Sequence, residues 1–156
     1  MTFGYHNQLL KDLYFVFHYF RETELKEYVY HPINAFHLLK RTSKWMPKLR
    51  KQVTDLKFDI NLPSVSDSYV GASHGLADIL EHFNMNTTDV ARGEIMDFVT
   101  EKVYKAKSPL NSMELMQIAN EAKGVGYMDG FVTWMTTALK KAKEEKRDAK
   151  YISTIK

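Results

Sequence analysis

Six histidines are the side chains of this 156-residue sequence best suited to move a proton or hold a metal near neutral pH. A two-histidine, one-carboxylate iron site often opens with His-x-Asp or His-x-Glu. The residues two places after His6, His18, His31, His37, His74 and His82 are Gln8, Phe20, Ile33, Leu39, Leu76 and Asn84, so none starts that pattern. Neither H-E-x-x-H nor G-x-x-x-x-G-K-[ST] occurs, and no G-x-S-x-G elbow presents a serine nucleophile. The absence of cysteine removes thiolate nucleophiles, thiolate zinc sites and disulfides together. The residues name no catalytic group and no metal site, and an independent enzyme is the disfavoured reading.

Other residue types point to structure before chemistry. His31 beside Pro32 reads as a turn or cap histidine, and His37, His74 and His82 are expected at helix surfaces or edges. Trp45 and Trp134 fall in step with apolar neighbours and read as core anchors. Asn86-Thr87-Thr88 is an N-glycosylation sequon, which matters only in a secretory compartment. The net charge is +3, and residues 140–156 carry seven Lys/Arg against three Asp/Glu, leaving the remainder nearly neutral. That tail is expected to be solvated and partly frayed. No basic stripe interleaved with aromatics argues for nucleic acid. No apolar run is long enough to span a membrane. "LYFVFHYF" (13–20) is short, follows Lys11 and Asp12, and lacks a small-residue cleavage site, so it does not read as a signal peptide.

The elements that would carry these residues are helical, and the predicted fold class is all-α. Leu10, Leu13, Phe17 and Phe20 recur at a 3–4 spacing, too short for a stand-alone coiled coil but enough for a seam against a neighbour. Glu22 and Lys26 form an i,i+4 pair beyond it. Pro32 is expected to start a helix with Ile33, Phe36 and Leu39 inward, Thr42 or Ser43 as a cap, and Pro47 as a break or kink. Leu49, Val53 and Leu56 resume helical spacing. Residues 57–68 read as a connection. A helix follows over 69–83, capped by Asp67 or Ser68, with Val70, Leu76, Ile79, Leu80 and Phe83 as its apolar set. "NMNTTDVARGE" reads as a loop or short turn, and "IMDFVTEKVYKAK" fits helix or extended chain equally. No hairpin signal stands out. Ser112 is predicted to cap two helices joined near Gly124 and Gly126.

That last pair resembles a tetratricopeptide unit. Ala119 stands at the small-residue position, Gly126 at the turn, and Ala138-Leu139 at the "AL" of the second helix. Met128 and Phe131 depart from the repeat. A lone unit cannot bury both faces, so it needs a neighbour to stack on.

The strings "HPINAFHLLKR", "VGASHGLADILEHFNMNTTDVARGE" and "WMTTALKKA" follow one another from Tyr30 to Glu145. In order and spacing they resemble the N-terminal, non-catalytic part of the collagen prolyl 4-hydroxylase α subunit. By that resemblance, 1–108 is a helical dimerisation and scaffold region, with Tyr5 to Tyr30 as a shortened dimerisation helix. Residues 109–156 would hold the first helix pair, Asn111 to Glu145, of an incomplete tetratricopeptide-like domain that grips proline-rich collagen.

The resemblance also implies partners: a second copy of the chain, collagen-like peptide, and protein disulfide isomerase, in the lumen of the endoplasmic reticulum. Iron(II), 2-oxoglutarate and ascorbate serve the family's catalytic domain, whose His-x-Asp has no counterpart here, so no cofactor is expected in this chain. Met116, Asn120 and Lys123 would face the peptide groove. Lys123 stands where the family typically places a tyrosine, and an ammonium cannot stack on a proline ring as a phenol face does. The alternative reading is a free-standing helical interaction module.

Overall fold

The computed structural model describes residues 22–55 and 66–155. Seven helices and two short strands are found among them: α1 (Glu22–Tyr30), α2 (Pro32–Asp55), α3 (Ser66–Phe83), α4 (Thr87–Ala91), β1 (Glu94–Met96), β2 (Val103–Lys105), α5 (Ser112–Gly124), α6 (Met128–Glu144) and α7 (Ala149–Ile155). The all-α expectation holds. Leu10, Leu13, Phe17 and Phe20 lie outside the described residues, as do most of the 57–68 connection and the side chains of Glu22, Leu49, Val53 and Leu56.

The helices form an array in which each packs on the next: α2 on α3, α3 on α5, α5 on α6, and α6 on α7. One apolar core runs through it, from Ile33 and Phe36 on α2, through Leu76, Ala77 and Leu80 on α3, to Leu115, Ile118, Trp134 and Ala138 on α5 and α6. Phe36 and Trp134 are each only 1% exposed, and burying side chains of this size contributes roughly 1.5–3 kcal/mol apiece. Ala119, Ala122, Ala138 and Ala142 are all buried. Small residues there let α5 and α6 approach closely, as the tetratricopeptide-like pattern requires. Leu39 and Ile79 are half-buried, whereas Val70 and Phe83 face solvent.

The turn between α5 and α6 closes as a left-handed cap. Gly126, at φ +90°, donates to the Lys123 carbonyl while Tyr127 donates to that of Ala122. A residue without Cβ takes that conformation at no steric cost. The same pair of bonds ends α6, where Lys146 adopts φ +53° and Arg147 N–H reaches the Ala142 carbonyl.

Several local expectations fail. Of the break or kink expected at Pro47 there is no break, since α2 continues through it, and Thr42 and Ser43 do not cap. Their hydroxyls donate back to the carbonyls of Leu38, Leu39 and Lys40. Pro47 is exposed, so water can reach the backbone whose intrahelical donor the ring removes. Helix α3 begins at Ser66, which places Asp67 and Ser68 inside its first turn. The cap of α5 is Asn111, with Ser112 already helical. The 149–155 stretch of the tail is helix α7, and Ile155 is buried while Tyr151 and Ile152 pack on the core. The stretch that fits helix or extended chain is extended, and it forms a hairpin where none was expected, pairing Glu94 with Lys105, Ile95 with Tyr104 and Met96 with Val103.

Candidate functional site

The family-like string His31-Pro32-Ile33-Asn34 is a structural clasp. His31 is the residue before α2, and its carbonyl accepts the first helical hydrogen bond, from Ala35 N–H. Its Nδ1 accepts from Ile33 N–H at 3.3 Å, and its Nε2 lies 3.3 Å from the Tyr104 carbonyl on β2. Those two partners select the neutral imidazole with its proton on Nε2. Burial pushes the His31 pKa down, and the backbone groups of Tyr104 and Gly93 only partly oppose it. Pro32 suits the first helical position because its missing N–H would have no helical partner there. Buried Asn34 accepts from Lys107 N–H at 2.8 Å through Oδ1. Two residues at the start of α2 therefore hold the far arm of the hairpin, 73 positions away.

The hairpin is fixed from its other side as well. Ala106 N–H donates to the Gly93 carbonyl at 2.7 Å, and Leu110 N–H to that of Ala91 at 3.0 Å. Gly93 has φ +85°, and a Cβ there would stand 3.1 Å from the Ala106 Cβ. Both conformation and space demand glycine.

One turn along α2, His37 and Lys40 point at Glu114 of α5. The Glu114 Oε1 accepts from Lys40 Nζ at 2.6 Å and lies 3.4 Å from His37 Nε2. Its Oε2 accepts from Asn111 N–H at 2.8 Å, while Asn111 Oδ1 accepts from Glu114 N–H at 3.0 Å. Those two bonds are a capping box, which seals the start of α5. The carboxylate is 4% exposed. Burial alone would push its pKa up. The hydrogen bonds from His37, Asn111 and Lys40, with the charge on His37, outweigh that and hold it at about 2. Glu114 thus starts one helix and ties it to another.

A second tie closes the helix pair at that same end, where α5 begins and α6 stops. Glu145 accepts from Ser112 N–H at 3.0 Å and from the Ser112 hydroxyl at 2.7 Å, and Arg147 donates to it at 2.9 Å. Tyr151 of α7 donates to the Ser112 hydroxyl at 3.3 Å. Burial opposes ionisation of Glu145, yet the Ser112 and Arg147 bonds bring its pKa below the usual carboxylate range.

Met116, Asn120 and Lys123 share a face of α5 at i, i+4 and i+7. Asn120 and Lys123 are exposed, whereas Met116 is packed partly into the core. The Lys123 ammonium stands 5.2 Å from the centre of the Phe131 ring on α6, a cation–π distance. Trp134 is a core anchor, as expected, and His74 and His82 lie at the surface of α3, where His74 faces Asp78 at 3.3 Å. His31, Asn34, His37, Lys40 and Glu114 form the polar centre of the molecule. The sequence reads His31 as a turn or cap histidine, which it is, whereas His37, expected at a helix surface or edge, is largely covered against Glu114.

The described residues contain no group of three His, Asp or Glu side chains able to hold a metal. They therefore do not fit an iron(II) site. Among them no helix is long and apolar enough to cross a membrane. The arrangement binds elements together and presents a helix face. Residues 17–97 match the protein family described as the prolyl 4-hydroxylase alpha-subunit, N-terminal region. No curated protein and no solved structure gives a significant match. The family match takes in the His31–Asn34 clasp, all of α3 and the first hairpin strand, over more than half of the sequence. The chain belongs to the prolyl 4-hydroxylase α-subunit N-terminal region family.

Proposed function

We propose that this chain is the non-catalytic, N-terminal part of a procollagen-proline 4-hydroxylase α-like subunit, serving assembly and the presentation of proline-rich, collagen-like substrate in the lumen of the endoplasmic reticulum. The family match carries the reading. The tie through Glu114 supports it, because it fastens the start of α5 to α2 of the scaffold, while Glu145 closes α5 on the end of α6. Leu10, Leu13, Phe17 and Phe20 would form the seam between two copies. Linking two peptide-gripping units raises the effective concentration of a repetitive strand without any new contact. Polyproline-II peptide is pre-ordered and suits a groove lined by flat side chains. Protein disulfide isomerase is the further partner this assignment entails, and iron(II), 2-oxoglutarate and ascorbate belong to the catalytic domain of such subunits.

Presentation is tested by titrating the labelled chain with a (Pro-Pro-Gly)-repeat peptide and following backbone amide shifts. Millimolar-range shifts confined to the Met116, Asn120 and Lys123 face are expected, since Lys123 supplies no stacking surface. Shifts elsewhere, or none, overturn presentation by this face. Assembly is tested by light scattering on the eluting chain: a dimer that Leu13→Lys with Phe17→Lys converts to monomer is expected. A wild-type monomer at high concentration overturns it.

A further inference from the structure

We propose that Asn86 is an acceptor for N-linked oligosaccharide, displayed on the short α4 turn. Of the seven asparagines in the sequence, Asn86 alone is followed two places on by Ser or Thr. The structure shows what that asparagine does in the fold. It is the N-cap of α4, in extended backbone at φ −74° and ψ 117°, and its Oδ1 accepts from Thr88 N–H at 2.8 Å. Capping consumes only the oxygen of the carboxamide. The Nδ2 atom, the one that bonds a sugar, has no hydrogen-bond partner among the described residues and the side chain is exposed.

The two threonines of the triplet are used differently. The Thr87 hydroxyl is buried against that of Thr137 on α6, at 2.8 Å. Thr88, the residue a sequon requires, makes no side-chain hydrogen bond among the described residues. The chain beside the site is a surface turn, with Asn84 exposed at φ +47° and Phe83 exposed on the end of α3. A glycan on Nδ2 leaves the capping bond and the Thr87–Thr137 contact in place.

The transfer draws on a lipid-linked diphosphate oligosaccharide. The bond from C1 of the first sugar to the diphosphate oxygen breaks, C1 bonds to Nδ2, Nδ2 gives up one proton, and the lipid diphosphate departs. The inference rests on the luminal placement proposed above.

The full chain, expressed behind a cleavable secretion leader in a eukaryotic cell, is recovered from medium and from retained membranes together. Intact mass and amidase-released site mapping read residue 86. Most molecules are expected to carry one glycan. Asn86→Asp and Thr88→Ala should abolish it, and Thr88→Ser should retain it. Asn86→Asp keeps a capping oxygen, so an unchanged urea midpoint shows that loss of the glycan is not misfolding. An unmodified Asn86 in the recovered wild type, or a glycan persisting in Asn86→Asp, overturns the proposal. A glycan on the leader-directed chain but none on the natural product would uphold the acceptor and overturn the luminal placement.

Discussion

Replacing Glu114 by Gln isolates the charge at the junction of α2 and α5. Glutamine keeps the size of the side chain and an acceptor for Asn111 N–H, and it resembles the protonated acid. The folded pKa of about 2 lies about 2.5 units below the ordinary value of 4.5. At about 1.36 kcal/mol per unit the ionised form contributes on the order of 3 kcal/mol to stability. The sign follows from the depressed folded value: the contribution is complete above pH 4.5 and is lost as the pH falls towards 2. The stability gap between wild type and Glu114→Gln should therefore be on the order of 3 kcal/mol at pH 7, about half that near pH 3.3, and close to nothing at pH 2. With a urea slope of about 2 kcal/mol/M for a domain of this size, the neutral-pH gap moves the midpoint by about 1.5 M. Buried Trp134 reports loss of the core by fluorescence, and far-ultraviolet dichroism reports loss of helix. Glu94, Asp97 and Glu145, whose pKa values are also lowered, titrate in both proteins and cancel in the difference. A gap under about 1 kcal/mol at pH 7, or one that persists undiminished at pH 2, refutes the reasoning.

His31 supplies a dependence in a different window. Its folded pKa is below 6.5 because of burial, so its contribution is complete above pH 6.5 and is lost as the pH falls below that value. His31→Asn, which retains a capping side chain, should remove this part of the decline in urea midpoint between pH 7.5 and 5, while the wild type shows it. Gly93→Ala should cost about 1–2 kcal/mol, since a Cβ meets both the left-handed backbone and Ala106, and thermal unfolding reads the loss. Lys146→Gly relieves a side-chain-bearing residue held at φ +53° and should raise stability by roughly 0.5–1 kcal/mol in the same assay.

The parts of this fold legible from sequence are those whose signals are local. Apolar residues three and four apart announced the helices, Pro32 announced a helix start, and Ala119, Gly126 and Ala138 announced the close-packed pair and its turn. The Asn111-to-Glu114 spacing was a readable capping box, but the adjacent Ser112 is also a common cap and drew the assignment one residue late. Tyr151, Ile152 and Ile155 carry an apolar stripe that the surrounding lysines obscured. The hairpin escaped because three-residue strands are too short for alternation to register, and some of the groups that fasten it, Asn34 and His31, stand 73 positions earlier in the chain. The same distance hid the centre of the molecule. His37 and Lys40 visibly share a face of α2, yet nothing within that helix reveals that their carboxylate stands 74 positions further on.

The clasp also governs how the chain comes into being. The cap on α2 is completed by Tyr104, the Asn34 carboxamide by Lys107, and Lys40 by Glu114, each 73 or 74 residues later in synthesis. At translation speeds of about 5–20 residues per second, roughly 4–15 s pass between the emergence of α2 and the arrival of the groups that fasten it. Ile33 and Phe36 lie open on the nascent chain until α3 follows and its Tyr69 ring can meet that of Phe36, and the polar groups of α2 wait longer still for theirs.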